Sequence, residues 1–351
     1  MLKLRRGVVE SVQQPGERIV RLEVRLSGGE APRPAVAYPR LTGPVEAGDD
    51  VVVNTEAADL GLGSGGFDIV HCNLTRGLSG GGGEGHVMKL NYTSLQHAVR
   101  PLEEEGDERP PAEGIPVCVL PLHGQLPCAA FALAALASGT RAGYVQTAGG
   151  ALPGELSDTV ADLLDRGMLA GHVSAGAAHG ATAEAVTLEG ALDAGRRLGW
   201  DCAFVGPGPG ILGSASALGH GGLAALSSAH AALALGSAVV LAPRLSSADP
   251  RERHRGLSHH TETVLRMLLR PVRVALPAGL SLPSGAALGR AVSHGGHEGV
   301  GVEVSSLCDS YLASGLPAGT MGRSFDEDRD FFLAGLGGGA ALAQLVADKE
   351  A

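Results

Sequence analysis

The chain has 351 residues, 37 acidic against 27 basic side chains and a formal net charge of −10. That length accommodates two domains, and 44% hydrophobic with only 18% charged residues excludes wholesale disorder. The acidic balance argues against a general nucleic-acid binder, which needs a basic surface, so no nucleic-acid partner is expected.

Glycine, at 54 residues, stands at about twice its usual share of ~7%, yet shows no Gly-X-Y period. Aromatic residues are only 3%, so the core must be built from Ala, Val and Leu. Lys3, Lys89 and Lys349 are the only lysines; the other basic residues are all Arg, as genomic base-composition bias would produce. A lone Gly or Arg therefore carries little weight. The five cysteines are scattered without a C-x-x-C pair, which speaks against a disulfide framework or zinc ribbon. Residues 1–6 run into an alternating pattern with no apolar signal segment, so a cytoplasmic protein is expected. Between Cys202 and Pro243 there is no Asp, Glu, Lys or Arg. Only 221–242 within it could span a bilayer. That piece is mostly Ala, Gly and Ser, holds His230, and breaks at Gly236-Ser237, so it reads as a buried helix and strand; no membrane partner is expected.

Residues 1–100 read as β. Strands are predicted over 7–12 and 18–26 with Pro15-Gly16 between them, then 36–41, 50–54, 67–72 and 86–91. Six short, closely spaced strands imply a small barrel or sandwich. The glycine-rich stretches 61–66 and 77–85 read as loops, the second a mobile one. Residues 103–114 are acidic and Pro-rich and read as a linker.

From Ile115 the pattern becomes strand–helix alternation. Strands are predicted over 117–120, 142–146, 171–174, 202–205, 238–242, 272–276 and 300–304, and helices over 128–137, 155–166, 183–198, 222–235, 259–269 and 285–293. Short apolar strands separated by helices imply right-handed parallel crossovers with helices on both faces. Seven strands fall short of the eight of a closed barrel. The fold expected is thus an N-terminal β-barrel or sandwich (1–102), a linker (103–114), and an open, mainly parallel, doubly wound Rossmann-like α/β domain (115–351).

In such sheets ligands sit at the carboxyl ends of the strands. The sharpest feature there is Gly206-Pro-Gly208-Pro-Gly210-Ile-Leu-Gly213. Such a loop can offer backbone N–H groups to an anion. It matches G-x-G-x-x-G only formally: two prolines remove donors, and the next strand ends in Arg244 rather than an acid, which disfavours a nicotinamide dinucleotide. His220, shortly before the next helix, reads equally as a capping residue and as a catalytic one. The second feature is the stretch 244–261. It brings Arg244, Arg251, Arg253, Arg255, His254, His259, His260 and Asp249 together in a chain poor in charge. Ser258 fits an N-cap, so His259 and His260 open a helix. Arg forks suit phosphate or carboxylate; Asp249, His254 and His259 are an alternative metal set. A solvated, salt-bridged loop is the plain alternative for the whole stretch. Three further patterns rank lower: G-x-S-x-G at 77–81, His294-Gly-Gly-His297, and the acids 326–330, which read as the charged start of a helix over 331–346.

The strings Gly85-His86-Val-Met-Lys89-Leu-Asn-Tyr92-Thr and Arg251-Glu-Arg253-His254-Arg255-Gly-Leu-Ser258-His259-His260-Thr261 resemble the bacterial family catalogued as domain of unknown function 3866. So do Val53-Asn54-Thr55 with the Leu60–Gly66 run, and Gly208–Gly213. The resemblance spans nearly the whole chain. It implies a cytoplasmic protein whose two parts belong together, and it carries no activity with it.

Three functions follow as expectations. The first is an enzyme or binder for a small anionic metabolite at the carboxyl edge. There Gly206, Gly208, Gly210 and Gly213 supply backbone donors, Arg244, Arg251, Arg253 and Arg255 charge, and His259, His260 or His220 acid–base groups; Lys89 or His86 of the first domain could close over it. The second is a metal-dependent hydrolase using Asp249–His260. The third is a non-enzymatic assembly protein with the Arg-rich loop as a homodimer contact.

Overall fold

The computed structural model describes residues 2–350 apart from 30, 63–64, 82–84, 107 and 112. The chain divides into two compact units, Met1–Arg100 and Pro101–Ala351.

In the first unit β1 (Leu4–Gln14), β2 (Val20–Leu26), β3 (Arg33–Ala37), β4 (Asp50–Asn54) and β5 (Asp68–Asn73) form a closed barrel in the order β1-β2-β3-β5-β4. One-turn helices α1 (Pro39–Thr42) and α2 (Glu56–Asp59) lie between its strands. β1 pairs with β4 to shut the barrel, and only β3 and β5 run parallel. This is an OB-type barrel. Alternate residues Val20, Leu22, Val24 and Leu26 of β2 meet Val51 and Val53 of β4 inside it, as a period of two requires. The strand expected over 36–41 stops at Ala37 because Pro39 fits the first turn of α1. The sixth strand shortens to β6 (Val87–Lys89), which pairs with β7 (His97–Val99) as a separate hairpin, so the barrel has five strands rather than six. Parts of both glycine-rich loops, 63–64 and 82–84, lie outside the described residues.

The predicted linker belongs to the second unit. Leu102–Glu105 forms a 3-10 turn, Leu102 packs on an apolar cluster, and Glu103 Oε1 accepts from the N–H groups of Val186 (2.8 Å) and Thr187 (3.0 Å). One leucine and one hydrogen-bonded acid tie down what composition alone marks as a tether. Residues 107 and 112 of the predicted linker lie outside the described residues.

The second unit holds the sheet. Its strands are β8 (Val117–Val119), β9 (Ala142–Thr147), β10 (Gly171–Ala175), β11 (Ala183–Ala185), β12 (Cys202–Pro207) and β13 (Val239–Leu241). The short pair β14 (Leu245–Ser246) and β15 (Gly256–Leu257) stands apart from the sheet, which is completed by β16 (Arg273–Pro277) and β17 (Glu298–Val302). The eight sheet strands run in the order β11-β10-β9-β12-β8-β13-β16-β17, every pair parallel. Seven are the predicted ones. The eighth, β11, takes the first residues of the helix expected over 183–198. That helix, α5 (Leu188–Arg197), starts later, where the Thr187 side chain accepts from Gly190 N–H.

Helices cover both faces. On one lie α3 (Leu126–Leu136), α4 (Asp158–Asp165), α9 (Ser305–Ala313) and α10 (Arg329–Glu350). On the other, with α5, lie α6 (Ala224–Ala234), α7 (His259–Met267) and α8 (Leu282–His294). The fold is therefore doubly wound; within the uncharged stretch 202–243, β12 and β13 are buried strands and α6 packs on the sheet, while residues 212–219 between them are exposed. From central β8 the chain moves outward through β9 to β11, returns to β12 and then crosses to β13. α3 leaves β8 on one face while α6 and α7 leave β12 and β13 on the other. A crevice opens at the carboxyl ends of these three strands.

α10 is, among the described residues, the helix long and apolar enough to cross a membrane, but 89% of that window is buried inside the protein. It lies close against α3 and the sheet through glycines. A Cβ at Gly335 would come 2.8 Å from Cys128 Cβ, and one at Gly338 would come 2.8 Å from Ala242 Cβ.

Trp200 packs similarly over Gly143, Gly171 and Gly195, where added Cβ atoms would run into its ring. Gly143→Ala should therefore cost about 1–3 kcal/mol by overpacking. Urea unfolding followed by the fluorescence of this single tryptophan measures it; an unchanged midpoint would refute the packing argument.

Candidate functional site

A cavity of about 430 Å³ occupies that crevice. Leu122, His123 and Gly124 line it after β8, Gly208–Ser214 after β12, and Arg244, Arg251, Arg253 and His254 after β13. His260 of α7 completes that wall, and Gly319–Met321 with Phe331 close the other side. β18 (Gly319–Thr320) and β19 (Arg323–Ser324) form the small hairpin there.

Of the residues singled out in the sequence, Gly208, Gly210, Gly213, Arg244, Arg251, Arg253, His254 and His260 border this one cavity. Gly206, His220, Asp249, Arg255 and His259 do not. Gly206 is an interior residue of β12, where a Cβ would lie 2.7 Å from Leu120 O. Its glycine serves strand packing. The Arg255 side chain donates back to Asp249 O (3.2 Å).

The loop after β12 is strapped in place. Ala151 N–H donates to Pro209 O (2.7 Å), Leu212 N–H to Gly149 O (3.1 Å) and Ser214 N–H to Gly219 O (2.7 Å). Gly210 takes φ +71°, a left-handed conformation that favours glycine. No helix opens on the loop; α6 begins only at Ala224, after a 3-10 turn over Gly221–Leu223. The structural context of a dinucleotide fingerprint is absent.

Asp249 is fully buried and already engaged. Its carboxylate accepts from Arg251 Nε (2.9 Å), Nη2 (2.8 Å) and N–H (3.0 Å), and Arg323 Nη2 lies 3.7 Å away. Burial opposes its ionisation, but the Arg251 hydrogen bonds prevail and hold its pKa below the ordinary carboxylate value. It is therefore a poor metal ligand, contrary to the alternative set read from the sequence.

Arg244 has no such partner. It is 3% exposed and forms no ion pair among the described residues. Its backbone N–H donates to Thr261 Oγ1 (2.8 Å), and its Nη1 lies 2.9 Å from His260 Nδ1. Burial, reinforced by Arg251, Arg323 and Arg253, pushes its pKa down to about 10, against a weaker opposing pull from Asp249.

Behind Arg244 four imidazoles gather. Ser258 caps α7 as predicted, accepting from His260 N–H (3.3 Å), and its Oγ also lies 2.7 Å from His254 Nδ1. His260 stacks on His220 with ring centroids 3.7 Å apart, and His259 sits 4.4 Å from His260. His254 is 4.8 Å from both His259 and His260. Burial first, then nearby cationic and imidazole groups, lowers the pKa of His254 to about 3 and of His260 to about 2. His220 and His259 are lowered in the same sense, again chiefly by burial. At neutral pH all four rings are uncharged.

Two parts of the site have roles that the sequence reading does not assign. His123 lies in the loop after β8, with its Nε2 2.8 Å from Ser157 Oγ and a pKa lowered by burial to about 4. The acids before and within α10 do more than face a helix dipole. Asp328 accepts from Ser246 Oγ and Ser247 N–H, and Asp330 accepts from Ser281 N–H (3.0 Å), so these acids clamp the loops after β13 and β16. His297 is structural: it bridges Leu265 O and Val272 N–H, and Gly77–Gly81 lies among turns without a strand–turn–helix frame.

Fold and site together define a class: an OB-type barrel followed in the chain by a doubly wound parallel α/β unit whose carboxyl-edge cleft is lined by arginine, histidine and glycine. Residues 34–339 match the family described as Protein of unknown function (DUF3866), and the chain belongs to that family. No curated protein and no solved structure gives a significant match.

Proposed function

We propose that the cleft binds a small anionic metabolite bearing phosphate or carboxylate, and that the protein is an enzyme or binding protein for it. Arg244 carries this reading. A guanidinium this buried, without a carboxylate partner, is costly unless an anion completes it. Its fork suits a planar or tetrahedral oxyanion. Arg253 adds positive charge at the rim of an otherwise acidic protein, Arg251 lines the same wall with its charge met by Asp249, and the loop around Gly210 brings backbone close to the same space. The imidazoles of His254 and His260 stand beside it as uncharged polar groups that add no competing charge.

A thermal-shift screen of phosphorylated and carboxylated metabolites tests the reading. A ligand at ~100 times its Kd adds ~2.7 kcal/mol, which is roughly 5–10 °C for a domain of this size. Arg244→Gln should abolish the shift. If no anion shifts the wild type, or Arg244→Gln responds as strongly, the reading fails.

A further inference from the structure

We propose that His220, His259 and His260 form a site for a divalent transition-metal ion of the zinc class at the edge of the cleft. One ligand nitrogen from each of the three residues falls within 4.8 Å of the others. Two of these nitrogens are orphaned: His220 Nδ1 and His259 Nε2 are buried and have no hydrogen-bond partner. The opposite nitrogen of each ring is occupied. His220 Nε2–H donates to Ala217 O (2.9 Å) and His259 Nδ1–H to Arg253 O (3.2 Å). These bonds fix the tautomers so that both lone pairs point inward, the arrangement by which backbone carbonyls orient metal-binding histidines.

The third observation is a space. A Cβ at Gly222 would lie 2.9 Å from His220 Nδ1 and 2.9 Å from His260 Nδ1. Glycine at this buried position leaves a slot flanked by both nitrogens. His260 Nδ1 accepts from Arg244 Nη1 (2.9 Å). An ion takes over that lone pair and releases the guanidinium. The stacked His220 and His260 rings turn out of parallel as the ligand nitrogens close to the roughly 3.3 Å separation that tetrahedral zinc–imidazole bonds of ~2.0–2.1 Å impose. Three neutral imidazoles without thiolate or carboxylate select zinc, copper, nickel or cobalt over magnesium or calcium. Three protein ligands leave a fourth position open, and His260 borders the cavity.

Cobalt(II) is the probe. Full-length protein stripped with chelator and titrated with Co²⁺ in buffer free of phosphate and carboxylate should bind one equivalent, with the visible absorption of a four-coordinate site, and Zn²⁺ should displace it. His259→Gln should weaken Co²⁺ binding at least ~10-fold. Gly222→Ala, which fills the slot while keeping every imidazole, should do the same. His294→Ala, outside the cluster, should bind as the wild type does. The proposal is overturned if the wild type takes up no Co²⁺ at micromolar concentration, or if His259→Gln binds it unchanged; should Gly222→Ala fail to fold, His259→Gln decides alone. No phosphate or carboxylate is present in the titration, so this result stands apart from the test of the anion reading.

Discussion

Asp328→Ala should destabilise the second unit by about 3–5 kcal/mol, the usual cost of removing one partner from a buried ion pair. Asp328 is fully buried. Its carboxylate accepts from Ser246 Oγ (2.9 and 2.8 Å) and Ser247 N–H (2.8 Å), and pairs with Arg323 Nε at 2.8 Å. Truncation strands the Arg323 charge, whose side chain is 14% exposed, with only the distant edge of Asp249 for company. It also frees Ser246 at the end of β14, two residues after Arg244. Asp328→Asn keeps an acceptor for Ser246 but loses the charge, so it should fall between wild type and alanine. Urea unfolding monitored by circular dichroism reads both variants. An alanine variant within about 1 kcal/mol of wild type would falsify the clamp.

Metal-free protein should lose stability steadily as pH falls below about 6.5. His123, His254 and His260 are held neutral in the folded chain, with pKa values of about 4, 3 and 2, whereas unfolded histidine titrates near ~6.5. Protons therefore bind the unfolded state first. The stabilisation from neutral burial is complete above ~6.5 and is lost as pH falls towards the folded values, by up to about 1.4 kcal/mol per pH unit for each histidine. Asp249, whose pKa is depressed, contributes in the same direction only nearer pH 4. The window from 6.5 to 5 thus belongs to the histidines. Unfolding midpoints across it give the slope, and His254→Gln should flatten it; a level profile in the wild type would contradict the buried, neutral cluster.

How much of this is legible in the sequence depends on the range over which the signal acts. The parallel sheet is legible because runs such as Val117–Val119 and Cys202–Val205 are apolar throughout, as strands covered on both faces must be. β11 is not: Ala183-Glu-Ala185 has no strand pattern of its own and is recruited by pairing with β10. The gathering of Arg244, His254 and His260 is legible because consecutive crossovers return their loops to one rim, and charge is scarce elsewhere. Asp328 escapes because its partner Ser246 lies 82 residues away and no local periodicity marks a long-range hydrogen bond. The commitment of Asp249 to Arg251 is local in sequence, yet only geometry shows that the guanidinium engages both carboxylate oxygens.

The glycines of α10 bear on how the protein is made. Gly335 and Gly337–Gly339 weaken the helix by about 1 kcal/mol each relative to alanine, so it draws its stability from docking rather than from its own propensity. It is also the last element of its layer to be synthesised. At ~5–20 residues per second, the apolar underside of β8 and α3 stays wet for roughly 10–50 s on the ribosome before its cover arrives. During that interval the nascent chain presents a broad greasy surface to its neighbours, and a chain cut short before residue 329 would carry that surface permanently.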